Sequence, residues 1–204
     1  MEKLAGILIM LGAAGVVIIS GIYGAAPHLA SVPLPANVDM HIVLETTLNA
    51  RLFLQLAGNI GLLADILLVA GALLILRTSL TTLGILFWNG ILASTFLFVL
   101  VDGLAAFILP KLAEGAMLEG FSVARYTFDF FFAFGVLIFG LAFLCRGIEM
   151  SGKARAVSLS IFVAASIGFA LFVMNITQPL LLGLGVGGAG IYLVFIGMRL
   201  RTAS

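Results

Sequence analysis

The residues in this chain that could do chemistry are few, and most of them interrupt apolar stretches. Arg125 and Asp129 stand four apart in "RYTFDF", residues 125–130, just ahead of a long run of Phe, Ala, Gly, Leu and Ile. Asp102 lies eight residues before Pro110 in another apolar segment. Arg51, Gln55 and Asn59 recur at i, i+4 and i+8, one face of a helix, with Asp65 further along the same segment. Ionisable side chains in such surroundings pair with one another or line a wet cavity, because lipid solvates neither charge.

Depth counting links the three segments. At a rise of roughly 1.5 Å per residue, Asn59, Asp102 and Asp129 each lie about 12 Å from the same end of their helices. Arg51, Gln55, Arg125 and Tyr126 fall above that level. Turning such side chains toward lipid would cost roughly 2.5–3.5 kcal/mol for each Asp or Arg at mid-helix, so the polar stripes are expected to face one another. Two readings follow. One is an interhelical ion-pair network, Arg125 with Asp102 or Asp129 and Arg51 with the other. The second is an outward-opening polar pocket for a small polar or cationic ligand, or a proton-linked site. Two carboxylates balanced by two arginines would suit a zwitterionic headgroup. Asp65 stands apart, either a proton-relay group or a neutral Asp bonded to Asn89, Ser94, Thr95 or Asn175.

The segment 26–50 offers a second set of donors. Pro27, Pro33 and Pro35 keep its first half out of helix, and Asn37 is positioned to cap a short helix from about Val38 to Ala50. On that helix His41 and Glu45 share a face, and with His28 they form a candidate zinc or copper site. The plainer reading is a short interfacial helix with His and Glu in water.

The elements that must position these residues are spanning helices. Of 204 residues 63% are hydrophobic and 9% charged, and the mean hydropathy is +1.29; a soluble domain carries about 25% charged residues. A helix crosses the hydrocarbon core with roughly 20 apolar residues. Six segments qualify, about 4–25, 51–77, 80–109, 121–146, 156–176 and 179–200, which makes residues 1–204 one all-α polytopic bundle. The first segment has the composition of a secretory signal, but its apolar run is longer than the usual ~7–15 residues, and Pro27 follows the best cleavage point after Ala26. It is read as the first span.

Six spans place both termini on one side. With the N-terminus inside, Lys3, Arg77, Arg146, Lys153, Arg155, Arg199 and Arg201 are cytoplasmic, and Arg51, Lys111 and Arg125 lie outside. Seven basic residues against three favour N-in and C-in, in a cell membrane such as the bacterial cytoplasmic one. Glycines crowd the first span (Gly6, Gly12, Gly15, Gly21, Gly24) and the sixth (Gly183, Gly185, Gly187, Gly188, Gly190). Small residues let helices approach closely, within the bundle or against another membrane subunit.

Several functions are excluded or unsupported. A net charge of +1 without a basic run gives no nucleic-acid signature. No lysine falls inside a span, so a retinal Schiff base is excluded, and neither histidine does, so a bis-histidine haem is excluded too. Cys145 is the single cysteine, so no intrachain disulfide forms. There is no P-loop, GxSxG or HExxH motif, and no cofactor is implied. The expectation is a non-enzymatic membrane protein that binds or carries a small polar or amphiphilic ligand. The alternatives are an accessory subunit of a larger membrane complex, and an enzyme acting on lipid or quinone.

The order of features resembles an uncharacterised bacterial six-helix membrane family. The shared features are a glycine-bearing first span, an outer loop rich in small residues and a long second span, "ARLFLQLAGNIGLLADILLVAGALLILR". A basic connection before the fifth span, "RGIEMSGKARAVS", completes the pattern. The resemblance implies a multi-pass membrane protein, carries no established activity and transfers no functional residue.

Overall fold

The computed structural model describes residues 1–24, 38–176 and 179–202. The apolar segments form α1 (Glu2–Gly24), α3 (Arg51–Ile75), α4 (Thr82–Gly103), α6 (Leu118–Glu149), α7 (Gly152–Val173) and α8 (Pro179–Thr202). Two shorter helices, α2 (Met40–Asn49) and α5 (Leu109–Glu114), and a π-helical turn over Leu104–Ile108 complete the chain. Six helical stretches are long and apolar enough to cross a membrane, the third running from Thr82 to Glu114, and no strand occurs among the described residues. Helix is the expected solution, since it satisfies every backbone N–H and C=O without water.

The ends are set by local chemistry. Asp39, not Asn37, caps α2, its carboxylate accepting from the His41 N–H at 2.9 Å; Asn37 and His28 lie outside the described residues. Thr81 caps α4 by accepting from Gly84 N at 3.0 Å. α7 stops at a left-handed Asn175, with Asn175 N donating to Phe172 O and Ile176 N to Leu171 O, the pattern that closes a helix C-terminus. Ala116 ends α5 in the same way, Met117 N donating to Leu112 O.

The third span does not stop at Pro110 as the sequence suggests. Proline lacks an N–H and its ring crowds the carbonyl four residues back. The helix absorbs both by widening into the π turn, where Leu109 N donates to Leu104 O, and it then continues to Glu114.

Chain neighbours pack antiparallel around a closed ring, α1–α3–α4–α6–α7–α8, with α8 returning to α1. The seams are made where backbones touch. A Cβ on Gly6 would sit 2.7 Å from Gly197 O, and one on Gly197 would sit 2.6 Å from Gly6 O. A Cβ on Gly12 would lie 2.7 Å from both Ala64 O and Leu68 N. Gly6, Gly12 and Gly15 of the first span are therefore used inside the bundle, against α8 and α3. One half of the interior is an aromatic core of Phe87, Phe98, Phe139, Phe143 and Tyr192, joined by edge-to-face ring contacts. α2 rests on α5 and α6 at the opposite end, with Val43 and Thr47 buried.

Candidate buried acid and arginine cluster

Each helix that contributes to the site buries one stripe of side chains at helical spacing, and the polar residues on those stripes define the site. On α3 the stripe runs through Leu54, Ala57, Gly58, Gly61, Ala64, Asp65 and Leu68. Asn59 is rotated about 160° from Gly61, at 100° per residue. It is exposed, and its side-chain amide donates to Gln55 O on its own helix at 2.9 Å. Gln55 is half-buried. Its neighbour Gly58 packs on α4 next to Asp102: a Cβ there would meet Asp102 O at 2.6 Å and Ala106 N at 2.7 Å. The register between α3 and α4 matches the depth count, and the rotation of α3 does not.

Asp102 lies on the buried stripe of α4 and is 6% exposed. Its carboxyl occupies the space that a side chain on Gly61 would fill. One turn along α3 from Gly61, the Asp65 side chain is 1% exposed and lies beside that same Asp102 carboxyl. Asp65 is thus part of the cluster. The partners expected for it lie elsewhere: Ser94 and Thr95 each donate to Ile91 O, and Asn89 and Asn175 are exposed. Asp65 Oδ2 is buried and has no hydrogen-bond partner among the described residues.

α6 supplies the other half. Arg125 and Asp129 are both 2% exposed and form an ion pair within the helix. The Arg125 guanidinium also lies over the Phe128 ring, 4.9 Å from its centroid, a geometry the ring quadrupole favours. The packing of α4 on α6 fixes their level. Phe98 and Phe132 have ring centroids 6.1 Å apart; Asp102 is one turn beyond Phe98 and Asp129 nearly one turn before Phe132, toward the same end. Tyr126, off the stripe, is 56% exposed.

Arg51 takes a different partner from the one expected. It pairs with Glu114 at 2.5 Å, both side chains nearly half exposed, and ties the start of α3 to the end of α5. An exposed pair of this kind contributes about 0–1 kcal/mol. His41 and Glu45 are exposed on α2, and no group of three or more His, Cys, Asp or Glu capable of holding a metal occurs among the described residues. A separate polar clamp closes the other end of the bundle. There Arg146 pairs with Glu149 at 2.7 Å, Glu149 accepts from Thr81, and the Arg146 guanidinium lies 5.7 Å from the Phe87 ring centroid.

The buried cluster therefore comprises Asp65, Asp102, Arg125 and Asp129 from three helices. Asp65 and Asp102 are two buried acids brought side by side, with the Arg125–Asp129 ion pair at the same level on α6. Buried in this way, the cluster places charged and polar groups in the bundle interior. Comparison with family models, with curated proteins and with solved structures gives no match.

Proposed function

We propose that this multi-pass protein binds or carries a small polar or amphiphilic ligand at the Asp65, Asp102, Arg125 and Asp129 cluster, by a proton-linked, non-enzymatic mechanism. The observation that carries the reading is the Asp65 carboxyl: fully buried, set beside a second acid and with one oxygen that has no hydrogen-bond partner among the described residues. Intramembrane ionisable residues mark ligand and proton paths by default.

The orientation that goes with this reading is N-in and C-in, in the bacterial cytoplasmic membrane. The antiparallel ring gathers Lys3, Arg77, Arg146, Lys153, Arg155, Arg199 and Arg201 at one end. With Arg125 buried inside α6, only Arg51 and Lys111 remain as basic residues near the other end. The contrast supports a cytoplasmic assignment for the first end and an outer location for the cluster.

The test is a thermal-stability screen of the purified chain against small polar, zwitterionic, cationic and amphiphilic compounds. A ligand bound only by the folded state raises Tm with concentration. At least one compound should stabilise the chain and lose that effect in Asp65→Asn and Asp102→Asn. If every stabilising compound acts equally on those variants, the reading fails.

A second reading, an accessory subunit of a membrane complex, draws on α8. Gly183 and Gly187, one turn apart, have open space where a Cβ would stand, unlike Gly190 and Gly197 on the same helix. Such a face accepts another helix closely. Mass analysis after mild extraction tests it, with a lone monomer as the contrary result.

A further inference from the structure

The least packed span carries a site of its own, away from the acid cluster. α7 buries 22% of its apolar window, against 39–50% in the other five spans. Its uncovered face holds a groove of about 370 Å³, lined by Leu159, Ser160, Val163, Ala164 and Ile167, with Leu181 of α8. Leu182 packs on Gly168, so Leu181 stands at the Ile167 end. Ser160 is the one polar side chain in the lining. From Leu159 to Ile167 the groove follows α7 for about 12 Å, a path that an extended acyl chain can take.

The opposite end of the groove leads to positive charge. Lys153 is seven residues before Ser160 and within about 20° of it around the helix. Along the axis the two are about 10 Å apart. Arg199 is eighteen residues after Leu181, five full turns, and so shares its face of α8. Gly188 of α8 lies against Ile161 of α7, and the antiparallel run from there brings Arg199 level with the turn that precedes Lys153. Lys153 and Arg199 are both exposed, and neither has an ion-pair partner among the described residues. The acids at this end are Glu2 and Glu149, and Glu149 is engaged by Arg146 and Thr81.

An apolar groove that ends about 10 Å from two cations has the layout of a phospholipid, with its phosphate at one end and its chains at the other. Basic positions between helices at a membrane surface recognise anionic headgroups. A zwitterionic headgroup would bring its own cation toward Lys153 and Arg199, which favours a lipid of net negative charge. A second copy of the chain fits less well, since a two-fold pairing along α7 would set Lys153 against its own counterpart.

We propose that the α7 groove, Lys153 and Arg199 form a binding site for one anionic phospholipid, an acyl chain lying from Leu159 to Ile167 and the phosphate held at the two basic side chains.

The full chain, purified in mild detergent, is mixed with equal amounts of phosphatidylglycerol and phosphatidylcholine of identical chains and read by native mass spectrometry. One phospholipid should stay bound per chain, with phosphatidylglycerol preferred by about fivefold or more. Lys153→Ala combined with Arg199→Ala should bring the ratio close to one. Arg155→Ala removes a charge about 140° from Ser160 around α7 and should leave the preference in place. Ala164→Phe fills the groove without changing charge and should release the lipid. The charge variants alter exposed side chains only, so they decide the matter even if Ala164→Phe lowers the unfolding midpoint. The assignment is overturned by equal retention of the two lipids, by a preference that survives the double variant, or by an Arg155→Ala loss as large as the double variant's. A lipid that stays bound to folded Ala164→Phe overturns it as well, and so does a dimer that Ala164→Phe dissociates, which would give the groove to a second copy.

Discussion

The carboxyl of Asp102 on α4 lies in the space left by the missing side chain of Gly61 on α3, one turn from Asp65. That relationship decides how close α3 and α4 come and brings the two acids together. A Cβ at position 61 would collide with the carboxyl of Asp102, which is buried and only 6% exposed. Gly61→Ala should therefore destabilise the protein by about 1–3 kcal/mol, the usual cost of overpacking. Helix propensity alone would favour the alanine by about 1 kcal/mol. Gly21→Ala is the control, because a Cβ there meets nothing within 4 Å, and it should raise stability slightly. Thermal unfolding of the two variants in the same detergent should shift in opposite directions.

The Arg125–Asp129 pair yields a different expectation. Both side chains are buried, so removing one leaves the other without its counter-charge. Arg125→Leu and Asp129→Leu should each cost about 3–5 kcal/mol. The double variant should cost less than their sum, since each single variant already removes the same ion pair. A double-mutant cycle on unfolding midpoints measures the coupling, and additive losses would show that the pair is not a unit in the folded protein.

Much of this was legible in the sequence, and what was not has a definite cause. The all-α bundle and its six long apolar helices follow from hydropathy, because membrane backbone has one local solution. The level of the cluster also follows, since axial rise is the same in every helix. The rotation of α3 about its axis does not follow from its polar stripe, Arg51, Gln55 and Asn59: the packing face is marked by small residues, Ala57, Gly58, Gly61 and Ala64. Asp65 is in phase with those residues and Asn59 opposes them, so the signal was present in the glycine spacing. The π turn before Pro110 was less accessible, because proline could equally have ended the helix.

The rotation of α3 makes its own prediction. Asn59 is exposed and bonded only within its helix, and Arg51 has a half-exposed partner. Asn59→Leu should change stability by no more than about 0.5 kcal/mol, and Arg51→Ala by no more than about 1 kcal/mol. Neither should alter binding of any compound that depends on Asp65. Loss of that binding in Asn59→Leu would return Asn59 to the site and require a different rotation of α3.

Orientation can be checked with the single native cysteine removed. In a Cys145→Ser background, Met117→Cys places one thiol between α5 and α6, beside the α2 end of the bundle, where Met117 is 59% exposed. Ser151→Cys places one at the opposite end, in the exposed connection between α6 and α7. The basic residues cluster around the second position: Arg146, Lys153 and Arg155 are within a few residues of it, and the N- and C-terminal ends of α1 and α8 lie at the same end. Positive charge is retained on the cytoplasmic side during insertion. A membrane-impermeant thiol reagent applied to intact cells should therefore label Met117→Cys and leave Ser151→Cys unmodified until the membrane is permeabilised. The reverse pattern would invert the bundle and put the Asp65–Asp102 pair in its inner half, against the orientation that the basic residues favour.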